Sequence, residues 1–74
     1  MNSYVINVTE VENLQHTSDS AELERIFSRA RSTIVNGEPV ILARKQSERM
    51  EKFDEITTLD DLEDYRKTVF KYLD

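Results

Sequence analysis

Tyr4, Ile6 and Val8 alternate with Val5, Asn7 and Thr9, which predicts a first strand with one apolar face. Thr9-Glu10-Val11-Glu12 then reads as a capping box, with Thr9 at the N-cap and Glu12 at N3. It predicts a short helix reaching Leu14. The polar break His16-Thr17-Ser18-Asp19-Ser20 follows. Beyond it, Asp19 and Glu22 form a second reciprocal cap. Leu23, Ile26, Phe27, Ala30 and Ile34 fall at i, i+3, i+4, i+7 and i+11, one stripe of a helix running to Gly37. Arg25, Arg29 and Ser32 lie off that stripe and are expected in solvent.

Asn36-Gly37-Glu38-Pro39 holds the only glycine and the only proline of the 74 residues. Glycine ends a helix in the left-handed conformation without a Cβ clash. Pro39 forbids helical continuation and keeps Glu38 extended. Residues 40–43 are an unbroken apolar, partly β-branched run, the pattern of a buried strand. Lys45-Gln46-Ser47-Glu48 is polar and lacks the glycine of a tight hairpin. Residues 48–57 are ambiguous. Met50, Phe53 and Ile56 are spaced by three among good helix formers, which leans to helix, and a polar edge strand competes. Thr58 caps a last helix with Asp61 at N3, and Leu62, Arg66, Val69, Phe70 and Leu73 mark its buried side, with Tyr65 flanking. The expected fold is α+β: a small single domain over residues 1–74, with two or three short strands and two main amphipathic helices.

Size limits the core. A chain this short buries only about 60% of its unfolded surface, and with no cysteine it has no disulfide or cysteine-ligated metal to add. A partner or a homo-oligomer is the expected further source of stability. No apolar run approaches the roughly 20 residues of a membrane span. Met1-Asn2-Ser3-Tyr4 lacks the basic start of a leader, so the expected location is cytoplasmic.

The net charge of −5 is unevenly spread. Residues 1–24 carry five acids and no base, residues 25–52 seven bases against three acids, and residues 53–74 seven acids against three bases. A basic middle between acidic ends suits one partner of each sign, or simply solvated helix faces that differ. Arg25, Arg29, Arg44, Lys45 and Arg49 are the candidate phosphate contacts, although no aromatics are interleaved with them.

Catalytic chemistry is missing from the sequence. His16 is the sole histidine, and nothing local sets it beside a nucleophile. Asp60-Asp61 and Glu63-Asp64 lack the alternation and mid-loop glycine of a calcium site and fit a helix N-terminus better. No glycine-rich phosphate loop exists. Neither an enzymatic activity nor a cofactor or metal is expected.

Three pieces, in order, resemble the Phd/YefM-type antitoxins of bacterial toxin–antitoxin pairs. Residues 6–14 are similar to that family's opening strand and the Ser/Thr-Glu helix start. Gly37-Glu38-Pro39-Val40-Ile41-Leu42-Ala43-Arg44 is similar to its Gly-Glu-Pro-Val strand, which ends in Thr-Arg. Leu62-Glu63-Asp64-Tyr65 is similar to the start of its following helix. The chain departs from the pattern at Glu12, where the motif usually ends in arginine, and at the polar residues 48–57, where an apolar third strand is usual. It also has extra residues around 15–22 and no glycine after Arg44. The resemblance implies a homodimer that represses its own operon and lays its C-terminal segment on a basic, RNA-attacking toxin. Leu62, Tyr65, Val69, Phe70 and Leu73 would then form a stripe in a toxin groove, unless that stripe closes the chain's own core. The rival readings are a small acidic protein-interaction module without DNA binding and an acidic inhibitor that imitates DNA.

Overall fold

The computed structural model describes residues 3–73; Met1, Asn2 and Asp74, and with them part of the leader reading, lie outside the described residues. The element order is β1 (Tyr4–Asn7), α1 (Val8–His16), α2 (Ser20–Val35), β2 (Val40–Gln46), β3 (Arg49–Ile56) and α3 (Leu59–Lys71). The fold is α+β, as expected, with three strands and three helices.

The first helix starts two residues earlier than the sequence pattern suggests. Asn7 is extended (φ −81°, ψ 104°) and its side chain accepts the Thr9 N–H at 3.0 Å, so Asn7 is the cap in place of Thr9. An Asn carboxamide caps at least as well as a Thr hydroxyl. Val8 is thereby drawn out of the strand and into the helix, where it is buried. The helix also runs past Leu14 to His16.

Only half of the second expected cap forms. Asp19 accepts the Glu22 N–H at 3.1 Å, whereas the Asp19 N–H is donated to the Leu14 carbonyl at 3.0 Å. Gly37 closes α2 with φ +83°. Its N–H bonds to the Ile34 carbonyl at 2.9 Å and the Glu38 N–H to the Thr33 carbonyl at 3.0 Å, the two bonds of a Schellman stop.

β2 lies at the centre of the sheet, parallel to β1 on one edge and antiparallel to β3 on the other. Residues 48–57, where spacing leans to helix, form this third strand. As a helix the segment would bury only three apolar residues among charges, whereas as a strand it satisfies the open edge of β2. The hairpin closes tightly without glycine because Ser47 takes the left-handed conformation at φ +57°. Phe53 is an extra residue: Ala43 pairs with Lys52 and Leu42 with Asp54, so the strand bulges there.

α1 and α2 pack directly on the sheet and α3 packs against both helices, all three contributing to the core on one face of the sheet. The core joins Ile6, Val40, Leu42 and Ile56 from the strands to Val8 and Val11 of α1, Leu23, Ile26, Phe27 and Ala30 of α2, and Leu62 and Val69 of α3. Gln15 Nε2 donates to the Val69 carbonyl at 3.0 Å and ties α1 to the C-terminal half of α3. One helix layer on one sheet gives a slab of 33 × 28 × 16 Å.

Leu23 is fully buried at the centre of this layer. Leu23→Ala is expected to cost ~3 kcal/mol in urea unfolding, a large fraction of the stability of so small a domain. A Cβ at Gly37 would meet nothing within 4 Å, so the cost of Gly37→Ala is purely conformational. We expect about 1 kcal/mol, and a smaller loss for Gly37→Asn, because asparagine tolerates the left-handed region.

Candidate interaction surfaces

The apolar stripe of α3 points inward. Leu62 and Val69 are buried in the core, and Tyr65, Phe70 and Leu73 pack against it. Phe27 anchors them, with its ring centroid 5.6 Å from Tyr65 in an edge-on arrangement and 6.1 Å from Phe70. These five residues therefore close the protein's own core and are not presented as a free stripe for a toxin groove.

Burial acts on Tyr65 in particular. Its hydroxyl is buried without a hydrogen-bond partner. Desolvation, reinforced by the Glu12 carboxylate and opposed by Arg44, pushes its phenol up to about 12.

The outward side of α3 is acidic. Thr58 caps the helix by accepting the Asp61 N–H at 3.1 Å, and Asp60, Asp61, Glu63 and Asp64 are exposed over its first turns. Their charge suits the positive end of the helix dipole. Arg66 spans from Glu24 on α2 to Glu63, and its guanidinium lies 4.6 Å from the Phe70 ring centroid. Asp54 of β3 extends the acidic surface across an open hollow of about 340 Å3, which is also lined by Leu42, Glu55, Ile56, Asp61 and Tyr65, and Glu55 is bonded to Lys52 at 2.7 Å.

The five candidate phosphate contacts are not brought together. Arg25 pairs with Glu22 at 3.6 Å along α2. Arg29 lies 5.1 Å from the ring of Tyr4, at the start of β1. Tyr4 is paired with Val40, whereas Lys45 and Arg49 stand at the hairpin end of the sheet. Five residues of strand separate the two sites, ~17 Å. Arg44 makes a two-pronged bond to Glu12, with Nη1 to Oε1 at 2.9 Å and Nη2 to Oε2 at 3.1 Å. This bond holds the Arg44 proton more firmly than usual. Glu12 thus neutralises Arg44, which lies inside β2.

Other features escaped the sequence reading. Arg31 lines a second open hollow between α2 and α3, with Phe27, Leu62 and Glu63. The sheet face away from the helices carries Val5, Ile41, Ala43 and Met50. Its one sequence signal is the apolar run 40–43, which does not alternate. His16 is exposed at the end of α1. Among the described residues no three His, Cys, Asp or Glu side chains are grouped to hold a metal, and no helix is long and apolar enough to cross a membrane.

No protein family, curated protein or solved structure matches the chain.

Because the Tyr65 hydroxyl is buried and unbonded, Tyr65→Phe is expected to leave stability unchanged or raise it by up to about 1 kcal/mol. The folded phenol keeps its proton to about pH 12, whereas the unfolded one releases it near its ordinary value of 10. Stability therefore falls as pH rises through that interval. Urea titrations across it are expected to show a shallower fall in Tyr65→Phe, and absorbance at alkaline pH to lose its last-titrating step.

Proposed function

We propose that this chain is a non-enzymatic, antitoxin-like binding protein of the cytoplasm, acting as a homodimer that neutralises a basic protein partner through α3. The observation that carries this reading is the exposed acidic surface of Asp60, Asp61, Glu63 and Asp64, continued by Asp54 of β3. A surface of one sign accelerates and orients encounter with a partner of the other. The order of the three motifs supports the same reading. Residues 6–14 run from strand into helix, the Gly-Glu-Pro-Val piece leads into the central strand, and Leu-Glu-Asp-Tyr stands in the first half of α3. Since the apolar stripe is committed to the core, the partner meets the outer, charged side of the helix.

The alternative, a small acidic interaction module without DNA binding, gains from one specific observation. Glu12 engages Arg44 at both guanidinium nitrogens, and the remaining cations stand at opposite ends of the sheet. This arrangement leaves no clustered cations among the candidate phosphate contacts for operon autorepression.

Three experiments test these arms separately. Co-expression with the product of the adjacent reading frame is expected to relieve a growth arrest that the neighbour causes alone. Asp60→Lys combined with Asp64→Lys is expected to weaken the complex at least ~10-fold in low salt while the circular dichroism stays native. A harmless neighbour, or a complex indifferent to those charges, overturns the reading. In a gel shift with upstream DNA at low salt, the wild-type chain is expected to bind no more tightly than to unrelated DNA. A specific, salt-sensitive shift would restore the repressor role.

A further inference from the structure

The corner between α2 and β2 places the only glycine of the chain directly after an asparagine. Asn36 and Gly37 are both exposed. The Asn36 carboxamide makes no hydrogen bond among the described residues. Gly37 has no Cβ to screen its nitrogen, and the space where one would stand is open to 4 Å. The other described asparagines are each followed by a bulky side chain. Asn7 is bonded to the Thr9 N–H and precedes Val8, and Asn13 precedes Leu14.

Within the folded corner, the Gly37 nitrogen and the Asn36 side chain are held apart. The Gly37 N–H is donated to the Ile34 carbonyl at 2.9 Å. Asn36 has ψ 4°, which eclipses the Gly37 nitrogen with the backbone nitrogen of Asn36 itself. The Gly37 nitrogen then stands a third of a turn away from the Asn36 Cβ about the Cα–C bond. A ring between that nitrogen and the side-chain carbonyl carbon closes only when nitrogen and Cβ are nearly eclipsed. The backbone must therefore turn about ψ, and the bond to Ile34 must break first.

We propose that Asn36 is a spontaneous modification site of this chain, gated by opening of the helix stop. Once the stop opens, the deprotonated Gly37 nitrogen attacks the Asn36 Cγ. A nitrogen–Cγ bond forms, the bond from Cγ to the amide nitrogen breaks, and ammonia leaves with the proton that Gly37 gave up. Water then opens the resulting succinimide at either carbonyl. Opening at the side-chain carbonyl gives aspartate, and opening at the main-chain carbonyl gives an isoaspartyl link, with the chain routed through Cβ. One water enters and one ammonia departs, with no other reactant. Either product sets a new carboxylate at the negative end of α2, whose last turn contains no base, and beside Glu38. The isoaspartyl link also adds a methylene to the backbone. This carries the Gly37 and Glu38 N–H groups away from the Ile34 and Thr33 carbonyls, so the stop that opened does not re-form and Val40 enters the sheet out of place. The inference does not rest on the proposed function.

The test is to hold the full chain at mildly alkaline pH, folded or in guanidinium chloride, and map its peptides by mass spectrometry over time. In denaturant, conversion is expected at Asn36 well ahead of Asn7 and Asn13. In the fold it is expected to be at least ~10-fold slower, by the same factor that protects the Gly37 amide from hydrogen exchange. The rate is expected to rise with pH in both states, because the attacking nitrogen must first lose its proton. Gly37→Ala is expected to slow conversion in denaturant, where its effect on folding does not enter. Anion exchange separates the converted chain by its extra negative charge. That chain is expected to unfold at lower denaturant than fresh protein, the isoaspartyl fraction lowest, with Asn36→Asp supplying the aspartate form alone. An Asn36 that keeps its amide in denaturant, or converts no faster than Asn7 and Asn13, overturns the site. Equal rates in the folded and denatured chain overturn the gate. An isoaspartyl chain as stable as fresh protein overturns the consequence for the corner.

Discussion

The whole arrangement depends on β2. It is hydrogen-bonded along both edges, parallel to β1 and antiparallel to β3, and Val40 and Leu42 project from it into the layer of helices. The unused backbone groups of a strand this apolar would be costly to bury, so the ladders on either side are what allow it to sit in the core. The Schellman stop at Gly37 delivers the chain to it, and the left-handed Ser47 turns the chain back along it. The helices then have a single apolar surface to cover, and they cover it from one side.

Much of this was legible in the sequence because it is local. The stripe of α2, the stop at Asn36-Gly37, the central strand and the Thr58 cap each follow from neighbours within a few positions. The third strand was not legible, because its conformation is imposed by a partner strand and not by its own spacing. Met50, Phe53 and Ile56 fit a helical period, and only Ile56 is buried. The first helix start was missed by two residues because Asn7 and Thr9 are both competent caps and the former comes first. For the functional surfaces the difficulty is of another kind. Periodicity identifies the apolar side of α3 but not what lies against it, and Phe27 settles that from 38 residues away in the chain, for Tyr65. Likewise nothing near Glu12 announces that it meets Arg44, 32 residues later.

That pair connects fold to function. Glu12 and Arg44 are both about half exposed, so solvent screens their bond and it adds only modestly to stability. Its effect is on the charge that the end of the sheet shows to solvent. A lone guanidinium there would draw anions, and a paired one does so far less. The basic residues are dispersed over α2, β2 and the hairpin, whereas Asp60, Asp61, Glu63 and Asp64 stand together, exposed, in the first turns of α3. A partner with an opposite field would be guided to that side of the slab.

The extra residue at Phe53 has a consequence for solubility. An eight-residue outer ribbon is long enough to template the addition of foreign ribbons along its free border, the first step of fibril growth. Phe53 interrupts the even repeat of that border and throws the donors and acceptors beyond it out of step. An incoming ribbon finds only a few matched positions before the mismatch, among Lys, Glu and Asp side chains that resist dehydration. The same irregularity thus makes the rim a poorer template for polymerisation.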